Sequence, residues 1–194
     1  MTDRRVAAVI LAAGASVRMG AAKPLVQWRG RSFVAHVVQR AVASGCAPIV
    51  VVIGAHAIDA GEVVPAVIVN NPRWADGPTT SLQVGLASVG DVDAVVVATV
   101  DRPHVMPSTW AALLEARASA PECVWQPQHD KKRGHPVVLP PWMLARVAAM
   151  APHETLRDLL RSAEVAPSRR VIEVDDAGVI DNVDTPADVA RLPS

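Results

Sequence analysis

Two features of this sequence carry chemistry: one stretch near its start, and a pair of carboxylates far from it. The stretch is LAAGASVRMGAAKP, residues 11–24. Ala12, Ala13 and Gly14 are small enough to let a ligand approach the main chain after Leu11. Successive backbone N–H groups there can form an anion-binding nest. Arg18 adds a planar fork of donors suited to terminal phosphates, and Lys23 a point charge suited to the phosphate at which reaction occurs. Two familiar phosphate loops do not fit. The dinucleotide fingerprint needs a glycine two positions after Gly14, where Ser16 stands. The Walker pattern needs four residues between its glycines and then Lys-Ser/Thr, whereas five separate Gly14 from Gly20 and Ala21 follows. The bland alternative is a tight strand-to-helix turn with two solvated cations.

The carboxylates are Asp101, which closes the apolar run DAVVVATVD (93–101), and Asp184, which precedes TPADVARL (185–192). Magnesium takes oxygen ligands, usually one or two carboxylates together with phosphates and waters. Two carboxylates delivered from separate loops can therefore hold one Mg²⁺. Each also has an ordinary reading, Asp101 as a turn cap before Pro103 and Asp184 as the N-cap of the last helix.

Apolar runs alternate with helical patterns along the chain. Residues 7–11, 48–54, 66–70 and 93–101 read as buried strands; 123–127, 135–140 and 169–174 read as shorter ones, the first two flanking a polar loop, QHDKKRG. Residues 32–45 carry apolar side chains at helical spacing and stop at Gly45; 79–90, 107–120, two stretches between 141 and 163, and 185–192 also read as helices. Such alternation predicts a Rossmann-like α/β fold, a mostly parallel sheet with helices on both faces. Sheets of this kind bind ligands at the carboxyl ends of their strands. That rule selects Ala12 to Lys23, Asn70 to Gly77, and Asp101.

Formal net charge is zero, which argues against a broad nucleic-acid or membrane surface. No run reaches the roughly 18 apolar residues of a membrane span. The start MTDRR does not read as a secretory leader, and Cys46 and Cys123 lie far apart with no CxxC, as expected of reduced thiols in a cytoplasmic protein. The 194 residues suit a single domain, 1–194.

The stretch L-A-A-G-x-S-x-R-M-G-x-x-K-P resembles the nucleotidyltransferases of the nucleotide-diphospho-sugar transferase (glycosyltransferase-A-like) fold. Within them it is most similar to the MobA-like molybdenum-cofactor nucleotidyltransferases, cytidylyltransferase branch. Four further segments share the likeness: NPRWADGPTTSLQVGL (71–86), VDRPHV (100–105), RGHPVVL (133–139) and DNVDTPADV (181–189). The resemblance implies that Leu11, Ala12, Ala13, Gly14, Arg18, Lys23, Asn71, Gly77 and Ser81 bind the nucleotide. It assigns Lys23 and Arg18 catalytic roles and makes Asp101 and Asp184 the Mg²⁺ ligands. Ala13, where guanine-using members carry glycine, resembles the pyrimidine, CTP-using side. Asn71 and Ser81 would meet a base edge, and Gly77 would leave room for its face.

The implied reaction is transfer of a nucleoside monophosphate from an NTP to a phosphorylated acceptor such as molybdopterin, with release of pyrophosphate. A phosphate nucleophile is ionised at neutral pH, so none of the histidines, His104 and His135 included, needs a chemical role. The acceptor side departs from the pattern: APHETLRDLLRS (151–162) lacks the usual glycines, and Asp-x-Pro carries Arg102 in its centre. Arg102, Lys131, Lys132 and Arg133 could meet an anionic acceptor or be plain solvated charge. Alternatives are transfer to a sugar phosphate, or a cofactor-binding or oxidoreductase relative that kept the fold alone.

Overall fold

A computed structural model describes residues 5–193; the MTDR start, in which no leader was read, lies outside them. In chain order the strands and helices are β1 (Val6–Leu11), β2 (Gln27–Trp28), β3 (Arg31–Ser32), α1 (Phe33–Ala43), β4 (Ile49–Ile53), β5 (Val67–Asn70), α2 (Pro78–Ala87) and β6 (Ala94–Thr99). The second half contributes α3 (Pro107–Ser119), β7 (Val124–His129), β8 (Lys132–Arg133), β9 (Val137–Leu139), α4 (Trp142–Ala148), α5 (Leu156–Arg161), β10 (Arg169–Glu173) and α6 (Pro186–Ala190).

The main sheet runs β10-β7-β9-β6-β1-β4-β5, with β8 paired to β7. β1 sits between β4 and β6 and is parallel to both, and β4–β5 and β7–β10 are parallel as well. β9 is the exception, antiparallel to β6 and to β7. The apolar run 135–140 shows its burial but not its direction, because a fully buried strand reads alike either way.

Period-two alternation along β1 feeds two cores. Ala8 and Ile10 pack with Phe33, Val34, Val37 and Ala41 of α1 and with Trp110 and Leu113 of α3. Ala7 and Val9 face the other way, onto Leu82 and Leu86 of α2, Met143 and Val147 of α4, and Leu160 of α5. The start of α1 follows from Ser32, whose hydroxyl accepts the Ala35 N–H at 3.3 Å, the ordinary serine N-cap.

Two hairpins escaped the sequence reading. Trp28 and Arg31 pair across Arg29 and Gly30, both at positive φ, with the Arg29 guanidinium 4.9 Å from the Trp28 ring centroid. β7 and β8 pair across Asp130 and Lys131, at φ 47° and 63°. Positive φ at both central residues is the type I′ geometry that matches strand twist, normally signalled by Asn-Gly or Asp-Gly. Here it is built from Asp-Lys, so QHDKKRG looked like a plain polar loop.

Helix α2 crosses the sheet closely at Gly85. A Cβ there would lie 2.4 Å from Val9 Cγ1 and 2.9 Å from Val52 Cγ2, both on stiff β-branched side chains of central strands. In an open helix Gly→Ala stabilises by roughly 1 kcal/mol. Here overpacking reverses the sign, and Gly85→Ala is expected to destabilise the fold by about 1–3 kcal/mol, read as a lowered urea midpoint. A variant as stable as the parent would show that α2 lies farther from the sheet.

Candidate active site

The segment after β1 is tied down on both sides. Ala12 donates to the Val52 carbonyl (2.9 Å), Ala13 accepts from Ala55 (3.0 Å), and Leu11 accepts from Val100 (3.1 Å). Ser16 then adopts a left-handed conformation, φ 56°, and its Oγ accepts the Lys23 N–H at 3.1 Å. This knot fixes the short turns Val17–Met19 and Lys23–Leu25, and with them Arg18 and Lys23. A Cβ on Gly14 would meet no atom within 4 Å, so the space beside its main chain is open.

That space belongs to a cavity of about 550 Å³, lined among others by Leu11, Ala12, Ala13, Gly14, Arg18, Lys23, Ser81, Asp101 and Asp184. The sequence-predicted residues thus converge on one cavity, with two exceptions. Asn71 is 1 % exposed, and its side chain is fully used: Nδ2 donates to Thr80 Oγ1 and Ser81 Oγ at 2.9 Å each, and Oδ1 accepts from the Arg73 N–H. It does not line the cavity. By occupying a lone pair on Ser81 it orients that hydroxyl. Gly77 does not make room for a base either. It has φ 144°, and a Cβ there would fall 2.1 Å from the Pro152 carbonyl oxygen, so its missing side chain admits a neighbouring loop.

Thr99 and Pro78 also line the cavity and were not singled out, and Trp74, one of the positions that carry the likeness of segment 71–86, lines it as well. Trp74 is seated against Gly54, where a Cβ would lie 2.6 Å from the tryptophan Cβ and Cγ. That glycine lets the tryptophan lie against the chain after β4.

Asp184 is the electrostatic centre. Its Oδ1 accepts from Lys23 Nζ, and its Oδ2 lies 3.0 Å from an Arg18 guanidinium nitrogen. The side chains of Lys23 and Asp184 are 12 % and 14 % exposed, against 72 % for Arg18, so the lysine pair is the less screened of the two. Burial alone would raise the Asp184 pKa, but the Lys23 hydrogen bond and charge, followed by Arg18, hold it below the ordinary carboxylate value. The last helix is capped without it. Thr185 Oγ1 and Asp188 form a reciprocal capping box, and the Asp184 N–H also donates to Asp188 at 2.9 Å. The Thr185 hydroxyl, the Asp184 N–H and other donors hold Asp188 down to about 2.

Asp101 stands opposite, joined through the backbone: the Val183 N–H donates to the Asp101 carbonyl at 2.8 Å. Asp101 and Asp184 therefore flank one backbone contact and line the same cavity. Among the described residues no group of three or more His, Cys, Asp or Glu side chains forms a metal cluster. Two carboxylates beside space for phosphates and waters is the donor set that suits Mg²⁺. Arg102, next to Asp101, donates to Thr99 Oγ1 at 2.9 Å.

The sequence matches the MobA-like NTP transferase domain over residues 8–168. The chain belongs to that family. A nicotine blue oxidoreductase from Paenarthrobacter nicotinovorans is 29 % identical over 197 residues, covering 96 % of each chain. A Mycobacterium tuberculosis H37Rv protein solved in complex with manganese superposes with a TM-score of 0.73 at 22 % identity, covering 96 % of this chain and 97 % of that one. A CMP:2-keto-3-deoxy-manno-octonic acid synthetase complexed with CTP gives 0.71 at 19 % identity, covering 96 % of both chains. These similarities establish the nucleotidyltransferase fold. No helix among the described residues is long and apolar enough to cross a membrane.

Three histidines of the fold are held below the ordinary imidazole pKa. Burial is the main cause for His36, His104 and His135, and the neighbouring Arg102 adds to it in pushing His135 down to about 4. In the unfolded chain each titrates near ~6.5, so the unfolded state binds more protons on acidification. Stability is present above that value and declines as pH falls from about 6.5 toward about 4. Urea midpoints are expected to be lower near pH 5 than near pH 7.5; identical midpoints would mean that these rings are solvated.

Proposed function

We propose that this MobA-like protein transfers a nucleoside monophosphate, CMP in preference, from an NTP to a phosphorylated acceptor of the molybdopterin type, with release of pyrophosphate. The observation that carries the reading is the convergence of Arg18, Lys23, Asp101 and Asp184 on the cavity bounded by Ala12, Ala13 and Gly14. Ala13 and the CTP-bound synthetase of the same fold favour cytidine. Buried, free Cys46 and Cys123 suit a cytoplasmic enzyme.

An oxygen of the acceptor phosphate attacks the α-phosphorus of the NTP. A new P–O bond forms, the bridging P–O bond to the β-phosphorus breaks, and its electron pair leaves on pyrophosphate. The attacking phosphate is already ionised, so the protein's task is alignment and charge neutralisation. Backbone N–H groups after Leu11 bind the phosphates, and Ser81, oriented by Asn71, offers its hydroxyl to the nucleoside. Lys23 and Arg18 turn from Asp184 to the triphosphate and absorb the charge growing on the leaving group. Asp101 and Asp184 would hold Mg²⁺, which supplies Lewis-acid neutralisation of phosphate oxygens when bound.

A second reading rests on the oxidoreductase relative: reduction of an organic acceptor with loss of transfer chemistry. The retained cations and acids speak against it, as does the loop's departure from G-x-G-x-x-G. Pyrophosphate release from CTP, GTP, UTP and ATP, measured beside NADH and NADPH oxidation, separates the two. The expected result is release that is greatest with CTP and requires a phosphorylated acceptor. Reduced-nicotinamide consumption without pyrophosphate would replace the transferase reading. Lys23→Ala and Asp101→Ala should each lower turnover by ~10²-fold or more, the scale of losing one preorganised electrostatic group. Near-normal rates in both would put the chemistry elsewhere.

A further inference from the structure

A second cavity, about 750 Å³, lies against the carboxyl edge of the sheet, walled by α5, the β7–β8 hairpin and the segment before α6. Arg102, Lys132, Arg133, Arg157 and Arg161 line it, against one carboxylate, Asp181. Arg157 and Arg161 are exposed and one helical turn apart on α5, so both heads reach the same side. Among the described residues Lys132, Arg133, Arg157 and Arg161 make no close ion pair with a carboxylate; Asp158, tied up in the Thr155 capping box, is the acid whose charge reaches Arg157 and Arg161, and Asp181 lies 3.8 Å from His104. Like charges crowded into a concave wall repel one another unless a counter-charge arrives. A solvated run of lysines and arginines on a convex surface would not carry that cost.

A third concavity joins this cavity to the nucleotide site. It shares Leu11, Pro78 and Thr99 with the first and His135, Leu156, Arg157 and Arg161 with the second. Arg102 stands at the junction, beside Asp101 on one side and facing the basic cavity on the other. Its Nε is buried without a hydrogen-bond partner among the described residues.

We infer that the basic cavity is the acceptor site, and that the acceptor carries a second oxyanionic group besides its nucleophilic phosphate. This rests on the transferase reading. The attacking phosphate lies toward Asp101 and Arg102, and the second group sits on Arg157 and Arg161 with Lys132 and Arg133 above it. Apolar walls from Leu156, Leu160 and Ile180 leave room for an uncharged body between the two anions. A neutral-bodied monophosphate would leave the distal cations unmatched, so acceptor choice follows from the number and spacing of its charges.

Fructose 1,6-bisphosphate and fructose 6-phosphate serve as probes, titrated calorimetrically at about 0.15 M ionic strength into protein saturated with Mg²⁺ and a non-hydrolysable CTP analogue. The bisphosphate is expected to bind at least about tenfold more tightly, the scale of one added charge-assisted contact. The double variant Arg157→Ala/Arg161→Ala should lose that preference while its nucleotide affinity stays unchanged. A control that loses equal charge elsewhere, Arg73→Ala/Arg146→Ala, should keep it. Equal binding of the two probes, or a preference that survives in the α5 variant or disappears in the control, overturns the inference even when the CTP analogue binds normally. If the analogue fails to bind yet the arginine-dependent preference remains, the nucleotide reading falls and the anion site stands.

Discussion

The site depends on one interaction: the Asp184 carboxylate held between Lys23 and Arg18. It joins loops 161 residues apart in sequence, one after the first strand and one before the last helix. Removing charged groups from water costs several kcal/mol per ion, so a part-buried pair is a weak source of net stability. Its consequence is exchange. A triphosphate arriving alone competes for Lys23 and Arg18 and strands Asp184 as an unpaired anion. A divalent cation arriving alone competes for Asp184 and strands Lys23. Arriving together they swap partners with every charge still matched. On the proposed reading, this balance makes metal and nucleotide binding mutually dependent.

The exchange requires that Asp184 have no structural duty, and the neighbouring sequence removes it. In DTPAD the helix begins at Thr185, and Asp188 supplies the carboxylate that accepts from the Asp184 and Thr185 backbone N–H groups. The acid that looked like an N-cap is released from capping by the acid four residues later. Asp101 is placed in a comparable way, its carbonyl occupied by Val183 while its carboxylate, 3.5 Å from an Arg102 guanidinium nitrogen, faces the cavity.

Local signals explain what the sequence disclosed. Val-rich strands and the helix spacing around Phe33–Ala41 recover the element order, because burial alone dictates those patterns. The convergence of Lys23, Arg18, Asp101 and Asp184 on one cavity was legible because each follows a strand or precedes a helix, so topology carries them to one edge. Asn71 and Gly77 were misread for a shared reason. Their residue types report a demand for hydrogen bonds or for space, and only tertiary contacts say who makes it. Asn71 serves Thr80 and Ser81, and Gly77 serves Pro152. The two hairpins were too short for alternation to show, and neither contains the Asn-Gly signal.

The direction of β9, which its apolar sequence concealed, brings the two cavities together. Because β9 runs antiparallel to β6, with Val137 beside Val97 and Leu139 beside Val95, its beginning lies toward the carboxyl end of β6. Gly134 and His135 therefore enter at the ligand-binding edge, where an ordinary parallel strand would only leave. Reversal against β9 turns β7 back into the common direction, so the β7–β8 hairpin also projects from that edge. Gly134 makes the entry possible, since a Cβ there would overlap the Val179 carbonyl at 1.9 Å. A fully parallel sheet would send the chain away after each strand, with only crossover loops at the site. One reversed strand instead delivers Lys132, Arg133 and His135 to the edge that also carries Asp101, and a basic cavity next to the one lined by Asp101 and Asp184 follows from that geometry.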